Sequence, residues 1–128
     1  MSYYFAKTLA IGFDDAVRRT TDVLKSEGFG LVTEIDVIDT LKRKVNADFR
    51  SYRILGACNP ALAYDAVQLE DKVGTMLPCN VIVQDVGAGR TEVAAIDPVA
   101  SMQAIDNPRL KEAAQRVQAK LKKVVESL

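Results

Sequence analysis

The chain has 128 residues, 48% of them apolar and 27% charged, which is the balance of one globular domain over 1–128 and excludes a disordered segment. Seventeen basic residues cancel seventeen acidic ones, so neither nucleic acid nor an anionic membrane is expected to be held by bulk charge. No apolar run reaches the roughly 20 residues of a membrane span, no export signal is visible, and two cysteines are too few for a secreted disulfide scaffold. The cytoplasm is the expected compartment.

Tyr3 to Ala10 is rich in aromatic and β-favouring residues and predicts a first strand. A helix capped by Asp14 follows, with Phe13, Val17, Thr20 and Leu24 on one face and Gly28 as its stop. Leu31 to Asp36 alternates as a strand, then Val37, Leu41 and Val45 recur every four residues as a short amphipathic helix. Its Lys42-Arg43-Lys44 run is flanked by Asp36, Asp39 and Asp48, the pattern of a solvated face.

Phe49 to Ala57 predicts a third strand. Asn59-Pro60 opens a helix, because Asn accepts orphan amide bonds and Pro needs no donor in the first turn. Ala63, Ala66 and Val67 form its expected apolar face, with Gly74 just beyond its end. Cys79–Val86 and Thr91–Ile96 are joined by Gly87-Ala88-Gly89-Arg90, which predicts an antiparallel hairpin. This glycine cluster lies between strands and opens no helix, so it is no phosphate cradle. Asn107-Pro108 begins the longest helix, with Leu110, Ala114, Val117, Leu121, Val124 and Leu128 as its stripe. The expected architecture is α+β: a mostly antiparallel, curved sheet of about five strands. Its first and last helices pack on one face, and short helices are inserted between strands.

The chain contains no histidine. That removes Ser-His-Asp and Cys-His catalysis, histidine-ligated metal and the usual near-neutral acid/base. With no catalytic motif, the reading leans away from an enzyme. Carboxylates remain at Asp14-Asp15, Glu34-Asp36-Asp39 and Asp97; Glu34 and Asp36 share a strand face and would act together only if that face lined a cleft.

The cysteines carry the sharpest signal. Cys58, in Gly56-Ala57-Cys58-Asn59-Pro60, sits where a strand hands over to a helix whose N-terminal amides would favour a thiolate. Cys79, in Leu77-Pro78-Cys79-Asn80, starts the fourth strand. The two thiols meet only if the third and fourth strands are antiparallel neighbours, which is expected. Cys58, Asn59, Cys79 and Asn80 are therefore the candidate thiol or ligand site, set against the plainer reading of two packed, inert sulfurs.

Thr33-Glu34-Ile35-Asp36-Val37, Thr40-Leu41-Lys42, Tyr52-Arg53-Ile54-Leu55-Gly56-Ala57-Cys58-Asn59-Pro60, Gly74 and Leu77-Pro78-Cys79-Asn80-Val81 together resemble the signature of the domain-of-unknown-function 302 family. The resemblance implies a β-α-β(4)-α arrangement with an antiparallel sheet, grouped with TATA-binding-protein-like folds. It implies no DNA binding and no particular activity.

Three functions follow as expectations. One is thiol chemistry at Cys58 and Cys79, either redox exchange or binding of a soft metal, copper(I) or zinc. Two thiolates alone leave a zinc site incomplete. Another is an apolar ligand held between the sheet and the long helix, with Tyr3, Tyr4, Tyr52 and Tyr64 as polar handles. The third is a structural homo-oligomer. A homodimer is expected because Leu55, Ala57, Ile82 and Val86 put apolar side chains on both faces of the third and fourth strands.

Overall fold

The computed structural model describes residues 2–128. Its strands are β1 (Tyr4–Leu9), β2 (Gly30–Asp36), β3 (Tyr52–Cys58), β4 (Cys79–Gly87) and β5 (Arg90–Ile96). The helices are α1 (Phe13–Ser26), α2 (Val37–Val45), α3 (Pro60–Leu69), α4 (Pro98–Ser101) and α5 (Pro108–Glu126), with a 3₁₀ segment at Asp71–Met76. The five strands form one sheet in the order β1-β5-β4-β3-β2, and every neighbouring pair is antiparallel.

Strand alternation divides the sheet into two faces. Leu55, Ala57, Cys79, Val81, Val83, Val93 and Ala95 point to the covered face. They meet Val17 and Leu24 of α1 and Leu121, Val124 and Val125 of α5 in the main hydrophobic cluster. Thr91 is buried there because its hydroxyl donates to the Ile11 carbonyl at 2.8 Å. A second cluster, Ala66, Val73, Met102, Leu110 and Ala114, joins α3, the 3₁₀ segment, α4 and the start of α5. The expected α+β architecture, with α1 and α5 on one face, is the observed one.

Local chemistry explains most element ends. Gly28 adopts φ 87° after α1, a left-handed conformation that glycine takes without a Cβ penalty. Asn107 caps α5 by accepting from the Arg109 and Leu110 amides.

Several expectations need correction. α1 is preceded by Gly12, with no side-chain cap. Asp14 lies inside the first turn, where a negative charge suits the helix dipole without closing a capping bond. β3 begins at Tyr52, not Phe49; Phe49 packs instead against Tyr52 and the Arg50 guanidinium. On α3 the inner residues are Leu62, Ala63 and Ala66, while Val67 is exposed. Gly74 falls within the 3₁₀ segment. The short α4 has no helical periodicity to announce it; Asp97 caps it by accepting from the Val99 amide.

Candidate functional site

The two hydrophobic clusters do not close on each other. Between them lies a cavity of about 310 Å³, walled by Phe29, Ala57 and Cys79 on the sheet side and by Ala66, Met102, Leu110 and Ala114 on the helical side. The cause is side-chain size. Ala57, Ala63, Ala66, Ala113 and Ala114 all line the gap, and five alanines on converging elements leave volume that larger residues would fill. Val32, which is 60% exposed, lies at the opening.

Cys58 and Cys79 both line this cavity, and both are free thiols. Backbone register brings them there: Ala57 pairs with Cys79 across β3 and β4, so Cys58 leaves its strand where Cys79 enters its own. Cys79 is buried and Cys58 half-buried. Burial pushes the Cys79 thiol up from 9.0 to about 11, and the charge of a Cys58 thiolate beside it acts in the same direction. Cys79 is thus a neutral thiol at physiological pH.

Asn59 also lines the cavity, but its side-chain oxygen accepts from the Leu62 amide at 3.3 Å and so caps α3. Its amide group lies against Gly28, where a Cβ would come within 3.0 Å of Nδ2. Asn80 is one residue on from Cys79 and therefore projects to the other face of the sheet, outside the cavity. The four candidate residues divide into Cys58, Asn59 and Cys79 together and Asn80 apart. Gly56 is fixed by close approach: a Cβ there would overlap Thr33 Oγ1 and reach 2.8 Å from Pro78 Cγ.

The tyrosines do not supply handles to this cavity. Tyr3, Tyr4 and Tyr52 line a groove on the opposite face of the sheet, and Tyr64 is 65% exposed on α3. Strand alternation is the reason: Tyr52 opposes the face that receives Leu55. The signal that the sequence did carry for the cavity was the run of alanines on α3 and α5.

Four carboxylates elsewhere are held in ion pairs. Glu34 and Asp36 share a strand face as expected and both address Arg53, at 3.2 and 3.9 Å, while the Arg53 guanidinium carbon lies 5.4 Å from the Phe13 ring centroid. Asp39 holds Arg43 at 2.9 Å and Asp48 holds Lys42 at 3.3 Å. Among the described residues no cluster of three or more cysteine or carboxylate ligands forms, and no helix is long and apolar enough to cross a membrane.

The fold and site define an antiparallel α+β domain with an apolar cavity walled by two free thiols. The family described as "Domain of unknown function DUF302" matches over residues 5–128, and the chain belongs to it. The chain is similar to the uncharacterized conserved DUF302 protein from Bacillus stearothermophilus, known from its crystal structure. The two are 27% identical, with a TM-score of 0.90 over 98% of each chain. No curated protein sequence gives a significant match.

Proposed function

We propose that the chain binds a small apolar or amphipathic molecule in the cavity between the β3–β4 end of the sheet, α3 and α5. The observation that carries this reading is the cavity itself, about 310 Å³ with an almost wholly apolar wall. Asn59 is the one polar amide side chain in the wall, and its oxygen is already engaged in the cap of α3. An apolar cavity of about 150 Å³ accepts benzene; roughly twice that volume suits a ligand of about a dozen heavy atoms. Two free thiols in the wall suit a reducing compartment, which favours the cytoplasm.

The test is native mass spectrometry of the purified protein, followed by titration with decanol as a probe of suitable size. Binding that Ala63→Leu abolishes supports the reading. Absence of any bound species together with no decanol-induced rise in Tm would remove it.

The paired thiols favour a second reading, capture of copper(I), which two soft sulfur ligands satisfy and one chain's ligand set can provide. Metal uptake would release the Cys79 proton. Copper(I) uptake that survives Cys58→Ser, Cys79→Ala substitution would exclude it.

A further inference from the structure

The face of the sheet turned away from α1 and α5 is ordered in transverse rows. Its middle row takes one residue from each strand: Ala6 pairs with Ala94, Ala94 with Ile82, Ile82 with Ile54 and Ile54 with Ile35. All five are apolar. The row on one side contains Tyr4 and Ile96, then Asn80, Gly56 and Thr33. The row on the other side contains Thr8, Glu92, Gln84 and Tyr52. Gln84 bridges the two charges at this edge, its Nε2 donating to Glu92 at 2.9 Å and its Oε1 accepting from Arg50 Nε at 2.8 Å, and the middle row itself is free of charge. Charge is depleted in this way at the centre of protein interfaces.

We propose that a second copy of this chain covers this face, packing sheet on sheet about a two-fold axis that runs along β4. The middle row is graded in side-chain size. It is small at the β1–β5 side, with Ala6 and Ala94, and large at the β3–β2 side, with Ile54 and Ile35. Rotation about an axis along the central strand exchanges those sides. Ile35 of one copy then lies over Ala6 of the other, Ile54 over Ala94, and Ile82 over its own equivalent. Small residues opposite large ones let two layers interdigitate, and an isologous interface requires this self-complementarity. The groove on this face, lined by Tyr4, Tyr52, Ile82, Ala94 and Ile96 among others, provides the space into which the facing layer would fit.

The area is adequate. Five strands of six to nine residues give a face of roughly 500 Å² in projection. Covered on both partners, this amounts to about 1,000 Å² in total, the lower bound for a specific interface with good complementarity. Aligned packing at about 30° is the ordinary geometry for two such sheets.

Sedimentation equilibrium at micromolar concentration should give twice the 14.0 kDa chain mass. Ile82→Lys should give the monomer with an unchanged far-UV spectrum, since it sets like charges against each other at the two-fold. Ala6→Ile should weaken association about tenfold, and adding Ile35→Ala should restore it. In a background of Cys58→Ser and Cys79→Ala, the I82C variant should crosslink to its copy with a short bis-maleimide, because facing sheets lie about 10 Å apart, too far for a direct disulfide, while the Y64C variant does not. This arm stands even if Ile82→Lys fails to fold. A monomeric wild type, a different protein bound at this face, or a dimer in which the I82C variant does not crosslink would overturn the proposal.

Discussion

Ala57 of β3 and Cys79 of β4 are antiparallel partners, and the two cysteines converge on one cavity through that pairing alone, with twenty residues of helix and turn between them in the chain. The covered-face position of Cys79 also decides its chemistry. A thiol under α3 and α5 is desolvated, and its neutral form is the stable one.

That chemistry has a sign in pH. The folded protein holds the Cys79 proton to about pH 11, whereas the unperturbed group releases it near 9.0. Between those values the native state binds more protons than the unfolded state, so stability falls as pH rises. The contribution is complete below pH 9.0 and is lost through about 11, with a limiting slope of about 1.4 kcal/mol per pH unit. Urea unfolding across this window should be less pH-dependent in Cys79→Ala than in wild type. Equal slopes in the two proteins would show that the buried thiol does not titrate in this way.

Cys58 and Cys79 should also differ in reactivity at neutral pH. Cys58 is half-buried at the cavity wall, whereas Cys79 is buried and protonated. Iodoacetamide should label Cys58 first, and decanol should slow that labelling by occupying the same space. Peptide mapping after a short pulse reads both outcomes, and preferential labelling of Cys79 would contradict the assigned burial.

Gly56→Ala should destabilise the fold by about 1–3 kcal/mol, because the added Cβ overlaps Thr33 on β2 and crowds Pro78 ahead of β4. Thr33→Ala should recover part of that loss by removing one of the two obstructing groups. Chemical denaturation of both single variants and the double variant measures the coupling; strictly additive effects would show that the Thr33 contact is not the obstruction.

Asp97 links three elements. Its carboxylate accepts from the Val99 amide at 3.0 Å and from Gln118 Nε2 at 3.1 Å, while its own amide donates to the Tyr3 carbonyl. Asp97→Ala should cost about 1–3 kcal/mol through loss of the cap and a part-buried bond. Gln118→Ala should cost less, since the cap of α4 remains. Denaturation midpoints in the reverse order would assign Asp97 a different role.

The sequence by itself determined the elements whose causes are local. The alternation in β4 and β5 and the Asn-Pro starts of α3 and α5 depend on neighbours within a few residues and are where that logic put them. The hairpin is there too, but its turn is only Ala88-Gly89, because Gly87 and Arg90 pair as the end residues of the two strands. The Cys58–Cys79 approach was legible as a consequence of antiparallel pairing. Tertiary structure decided what depends on partners distant in sequence. Phe49 reads as strand, but with no neighbour to pair it is held by Arg50 and Tyr52 outside the sheet. The tyrosines read as ligand handles, but the direction of the pleat puts Tyr4 and Tyr52 on the open face. The cavity was the least legible feature, since the alanines of α3 and α5 are good helix formers on any account. Only the placement of those helices over Ala57 and Cys79 turns small side chains into empty volume, because packing is a property of facing surfaces and not of a single segment.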